Sequence, residues 1–143
     1  MIKAGSILTD GLRIKEILEA CKTIAVLGLS PNPERDSHVV AKYLKHEGYR
    51  IIPVHPLVNE ILGERVYASL DEIEEPVDMI DVFRKPEAVY LHAREALRLR
   101  PKVFWMQLGI VNQEAADILI AAGVDVVMNK CTKIEHARLF NKG

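Results

Sequence analysis

The sequence has no excess of either charge, almost no cysteine and no long apolar run, and each shortage excludes something. Its 19 basic and 20 acidic side chains leave a formal net charge of −1. Nucleic-acid binders usually carry a basic surplus, so no nucleic-acid partner is expected. The two cysteines, Cys21 and Cys131, stand far apart and in no Cys-x-x-Cys or zinc spacing. They read as free thiols, and no metal site is expected. No apolar run approaches the roughly 20 residues that cross a bilayer, and Met1-Ile-Lys-Ala-Gly-Ser6 has no signal-peptide apolar region. A cytoplasmic protein without membrane contact is the expectation. Glycine is also scarce where a dinucleotide loop would need it. After Gly28 come Leu29 and Ser30, so the Gly-x-Gly-x-x-Gly spacing that brings a pyrophosphate onto the backbone is missing.

What is present is an alternation. With 143 residues, 49% hydrophobic and 27% charged, the chain suits one domain with a substantial core. Short, almost continuously apolar segments recur at Thr23–Leu29, Tyr49–Val54, Val77–Phe83, Lys102–Leu108 and Val124–Met128, as parallel strands covered on both faces do. Helical stripes lie between them: Val40, Tyr43 and Leu44 before Gly48, then Val89, Ala93, Ala96 and Leu97 after Pro86, then Ala116, Leu119 and Ile120 between Asn112 and Gly123. One crossover is irregular. Ile61–Tyr67 looks more like strand than helix, and Ser69-Leu-Asp-Glu72 has capping-box spacing for a short helix. A helix is expected over residues 6–21. The pattern predicts an α/β fold, a Rossmann-like, doubly wound, five-stranded parallel sheet in order 3-2-1-4-5 with helices on both faces. Its switch point would lie between the first and fourth strands. One domain spans 1–143, with the helix in 1–22 packed on a core of 23–140.

In such a sheet ligands bind outside the carboxyl ends of the strands, so the residues after each strand carry the functional reading. The first strand runs into Gly28, then Ser30, Arg35 and Ser37 at the start of a helix. Backbone N–H groups, a helix N-terminus and a guanidinium at one point suit a phosphate. Ser37 also reads as the N-cap. The second strand ends in Pro53-Val-His-Pro56, with no carboxylate to hold a ribose diol as NAD requires. His55 there would tolerate a phosphorylated ribose, which leaves NADP open. Arg84 and Lys130 add cations at the same edge, and Val54 and Phe83 are apolar enough to flank an adenine. His38, His46 and His92 fall within helices and read as surface or packing residues.

These residues resemble a known family, the small stand-alone CoA-binding proteins, whose domain is similar to the N-terminal domain of the succinyl-CoA synthetase α-subunit. The resemblance rests on Val26-Leu-Gly-Leu-Ser-Pro-Asn-Pro-Glu-Arg-Asp-Ser37, Tyr49-Arg-Ile-Ile-Pro-Val-His-Pro56, Asp81-Val-Phe-Arg-Lys-Pro-Glu87, Val103-Phe-Trp-Met-Gln-Leu-Gly-Ile110 and Met128-Asn-Lys-Cys131, with Ile134-Glu-His-Ala-Arg138 behind them. It implies a cofactor, coenzyme A, or a CoA thioester as ligand. Carried onto this chain, Gly28, Ser30, Arg35 and Ser37 form the phosphate-side loop, and Val54 and His55 meet the adenosine and its 3′-phosphate. Phe83 and Arg84 lie along the same cleft, and Gln107 and Gly109 line the route of the pantetheine arm. Cys131, beside Lys130, is placed where a cation favours the thiolate and the CoA thiol could form a mixed disulfide.

No Ser-His-Asp ordering, metal-ligand spacing or nucleophile elbow appears in the sequence, and no catalytic residue is assigned. The ATP-grasp or phosphohistidine region of a ligase is not expected within 143 residues. The reading is a CoA-binding carrier, sensor or subunit without chemistry of its own. A small enzyme acting on CoA thioesters through His55, Cys131 or His136 is the alternative, and an NADP-binding protein a third. Self-association or an unidentified protein partner stays open.

Overall fold

A computed structural model describes residues 2–142. Five parallel strands form its centre: β1 (Thr23–Leu27), β2 (Arg50–Val54), β5 (Met79–Val82), β6 (Val103–Met106) and β7 (Asp125–Val127). Between β2 and β5 lies a two-residue hairpin of β3 (Glu60–Ile61) and β4 (Glu64–Arg65). Leu62 and Gly63 turn it with positive φ of 55° and 75°, the geometry that tight hairpins favour. This is the strand-like stretch expected from the sequence. The capping-box sequence after it makes only a 3-10 turn, Leu70–Glu72. Ser69 makes no side-chain cap bond, and Glu72 instead accepts the Ala68 N–H at 3.0 Å.

Because strand side chains alternate faces, the sheet divides the apolar residues into two cores. Ala25, Leu27, Ile52, Ile80, Phe104 and Val126 face the layer of α3 (Val89–Ala96) and α4 (Gln113–Ala121). Ile24, Val26, Ile51, Met79, Trp105 and Val127 face the layer of α1 (Gly11–Ala20), α2 (Asp36–His46) and α5 (Thr132–Leu139). Helices on both faces of a parallel α/β sheet are thus as expected. Among the described residues no helix is long and apolar enough to cross a membrane.

The strand order is corrected. It runs β2-β1-β5-β6-β7, which in the five long strands is 2-1-3-4-5 and not 3-2-1-4-5. The third long strand pairs with β1 through Ile24↔Met79 to Leu27↔Val82, so it lies inside the sheet. The outer edge beside β2 is already taken at its carboxyl end, since Tyr67 bridges Val54 there. The switch point consequently lies between β1 and β5. It is not between the first and fourth strands.

The N-terminal helix is also shorter than residues 6–21. It begins at Gly11, behind Asp10, whose carboxylate accepts the Arg13 N–H at 2.8 Å as an N-cap. Ser6, Ile7 and Leu8 lie along β7 instead, with Leu8 N–H to Val126 O at 2.8 Å and Val126 N–H to Ser6 O at 2.9 Å. They cover an edge that would otherwise be open.

Candidate functional site

At the carboxyl end of the sheet the ends of β1, β2 and β5 meet in a cleft of about 470 Å³. Gly28, Ser30, Arg35, Val54, His55, Phe83 and Arg84 line it together with Leu27, Pro56, Leu57 and His92. It opens at the switch point, between strands whose following helices pack on opposite faces, where the fold rule places ligands. A hollow of about 570 Å³ along α5 is larger, but Lys133, Ile134, Ala137, Arg138 and Asn141 line it and no strand end reaches it.

Gly28 is required by geometry. Its φ is +84°, and a Cβ there would lie 2.3 Å from the Phe83 carbonyl oxygen. The backbone therefore crosses the floor of the cleft at a point no side chain fits. Its N–H donates to Val54 O at 3.1 Å, and Phe83 N–H donates to Leu27 O at 2.9 Å, which holds three strand ends at one level.

The loop after β1 is built on local side-chain bonds. Ser37 Oγ accepts the Ser30 N–H at 2.9 Å, Ser30 Oγ accepts the Asn32 N–H at 3.1 Å, and Asn32 Oδ1 accepts the Glu34 N–H at 3.0 Å. His38 Nδ1 lies 2.9 Å from Ser30 O. A carbonyl only accepts, so this nitrogen carries the proton. Ser37 is therefore not the N-cap, a position Arg35 holds without a side-chain bond. It is 6% exposed and its oxygen is committed to the loop. His38, read from sequence as a surface or packing residue, is one of the staples. The outcome is a fixed turn that sets Arg35, the residue before α2, at the cleft.

The cleft is cationic. Arg35 and Arg84 are exposed, and neither pairs with a carboxylate among the described residues. The His55 ring is oriented by the Leu57 N–H, which donates to Nδ1 at 3.0 Å; the neutral ring then carries its proton on Nε2. His92, on α3, lies with Nδ1 2.7 Å from Glu95 Oε1. The sequence reading missed His92. The signal available was the His92-x-x-Glu95 spacing, which joins two side chains on one helix face.

Gln107, Gly109 and Cys131 lie beyond the residues that line this cleft. Gln107 is 4% exposed and belongs to a buried network. Its Nε2 donates to Asp81 Oδ1 and, at 2.7 Å, to Thr132 Oγ1, while Thr132 N–H donates to its Oε1 at 3.3 Å and Thr132 Oγ1 donates to Asp81 Oδ2 at 3.0 Å. Both amide hydrogens are engaged. Asp81 is fully buried and its carboxyl is pushed up to about 7, by burial first, against the opposing pull of the Gln107 and Thr132 hydrogen bonds. Gly109, at φ +83°, has open space around its Cβ position and gives its N–H to Asn129 Oδ1 at 2.7 Å. Cys131 is half-buried at the residue before α5. The preceding Lys130 carbonyl accepts the Trp105 indole N–H at 2.7 Å.

Comparison with known proteins adds what geometry leaves open. A family model described as a CoA binding domain matches residues 22–137. YneT of Bacillus subtilis, an uncharacterized protein, is 47% identical over 124 residues, which are 87% of this chain and 92% of YneT. A solved structure from Thermus thermophilus superposes with a TM-score of 0.88 at 43% identity, covering 92% of this chain and 100% of that one. A hypothetical protein from Pyrococcus horikoshii OT3 gives 0.89 at 38% identity, covering 92% of this chain and 93% of its own.

Proposed function

The chain belongs to the CoA-binding domain family, and from that premise we propose that it binds coenzyme A or a CoA thioester in the cleft between β1, β2 and β5, as a carrier, sensor or subunit without catalysis of its own. The observation that carries this reading is the convergence of a stapled helix-opening loop with Arg35, Arg84 and His55 around one cleft. Anionic phosphates match such a cluster, and the half-buried Phe83 with Val54 supplies apolar surface for a purine. NAD is disfavoured by the same cleft. Its second strand ends in Val54-His55 where a ribose-binding carboxylate would stand.

Thermal stabilisation tests the choice of ligand. A ligand at one hundred times its Kd stabilises the folded state by about 2.7 kcal/mol, which for a domain of this size is on the order of 10 °C. CoA is expected to raise Tm in this concentration-dependent way, and NAD or NADP at the same concentrations to change it little. Equal stabilisation by NAD would remove the CoA reading.

A further inference from the structure

The cleft has two histidines, and the structure prepares them oppositely. His55 receives the Leu57 N–H on Nδ1. That nitrogen is an acceptor, which leaves Nε2 to carry the ring hydrogen. His92 has its Nδ1 against the Glu95 carboxylate at 2.7 Å, with the side chain 22% exposed. A carboxylate only accepts, so Nδ1 carries the hydrogen and Nε2 is the nitrogen left for the cleft. In the neutral ring that atom is a lone pair. Protonation turns it into a donor and leaves the Glu95 bond in place.

The charges facing His92 decide when this happens. Glu95, on its own helix, balances an imidazolium. Arg84 after β5 and Arg35 before α2 line the same cleft and oppose one while no anion is there, and His55 after β2 lines it with Nδ1 occupied by the Leu57 N–H. A phosphate entering the cleft offsets the arginines and presents acceptor oxygens.

We propose that His92 is a proton-coupled phosphate contact: when a phosphate-bearing ligand enters the cleft, Nε2 takes up a proton from solvent and donates it in a hydrogen bond to a phosphate oxygen, with Glu95 holding the opposite nitrogen. This rests on the reading of the cleft as the CoA site. No covalent bond changes, and the buffer supplies the proton. Affinity for CoA then depends on pH through a residue on α3, a wall of the cleft that carries neither arginine.

Calorimetric titration of CoA at pH 7.5, in Hepes and in Tris, measures the protons taken up. The second ionisation of the CoA 3′-phosphate lies near pH 6, so the ligand contributes little there. Wild type is expected to take up on the order of half a proton per CoA, and its Kd to rise with pH by at most about tenfold per unit. His92→Gln should bind CoA more weakly and take up almost none. Glu95→Gln should reduce the uptake, and His55→Gln should retain it whatever its affinity. Uptake that persists with dephospho-CoA assigns the contact to the diphosphate, and uptake lost with it to the 3′-monoester. CoA binding with no uptake, or with uptake unchanged in His92→Gln, overturns this inference and leaves the CoA reading standing. The absence of any CoA binding overturns both.

Discussion

Arg35 shows how a single side chain is positioned without being held. Its carbonyl accepts the N–H groups of His38 and Val39, both at 3.0 Å, as the residue before α2, while its guanidinium lies free at the cleft. Removing the side chain leaves those backbone bonds intact. Arg35→Ala should therefore keep its far-ultraviolet circular dichroism and lose one charge-assisted contact, worth about 1.5–3 kcal/mol, so that CoA binds roughly 10- to 100-fold more weakly. Unaltered Kd in that variant would mark Arg35 as a solvated surface charge. Gly28, Arg35 and Arg84 stood out in the sequence because they follow the first and third long strands, although a turn glycine and a solvated surface charge were open readings there too. The bonds that Ser37, His38 and His92 make were not legible. Their partners are a backbone amide seven residues back, a carbonyl eight residues back and a carboxylate one helical turn on, and hydrophobic periodicity carries none of these.

At the scale of elements, the sequence revealed every long strand and the layers around them, since a run of β-branched residues between helical stripes can hardly be anything else. Strand order was another matter. It depends on which edge the hairpin and Tyr67 occupy, and two-residue strands have no periodicity to read. α5 escaped for a related reason: its buried residues are Thr132, Glu135 and His136, so it carries no apolar stripe. Beyond the packing of Leu139 and the flanking Cys131 and Phe140, its first turn is tied to the sheet by polar bonds. Gln107 and Thr132 bridge the end of β6 and the first turn of α5 to Asp81 on β5. Gln107→Leu conserves bulk but leaves the Thr132 N–H without its acceptor and Asp81 with one donor fewer. Buried orphaned groups of this kind cost on the order of 3 kcal/mol together. The expected outcome is a lower urea midpoint, with the amides of α5 exchanging hydrogen sooner than those of β5 and β6. A loss below about 0.5 kcal/mol with unaltered exchange would show that apolar packing alone anchors the helix.

For the whole molecule, two buried groups on different elements act on stability with opposite signs. Asp81, pushed up to about 7 by burial, binds its proton more readily folded than unfolded. Its contribution is fully present below the unfolded value near 4 and is lost as pH rises through about 7. His136 is 5% exposed, bonded to the Tyr43 hydroxyl at 2.9 Å and stacked on Phe140 at 4.5 Å. Burial depresses its pKa, Glu47 partly counters that and Lys142 adds to it, so the unfolded chain takes the proton first and stability is lost as pH falls below about 6.5. Between pH 5 and 6.5 the two slopes, each at most about 1.4 kcal/mol per pH unit, oppose one another and flatten the profile of the wild-type protein. Single variants should separate them. Relative to wild type, Asp81→Asn is expected to lose stability steadily as pH falls from 7 to 4, because it cannot gain what protonating Asp81 supplies. His136→Gln is expected to gain relative stability as pH falls from 6.5 to 5, because it has no imidazole to protonate. Urea midpoints of the two variants and the wild type, measured in parallel at each pH, cancel every carboxylate they share. A midpoint difference for Asp81→Asn that stays constant from pH 4 to 7 would mean the carboxyl is ionised throughout that range, held so by its hydrogen bonds to Gln107 and Thr132 despite its burial.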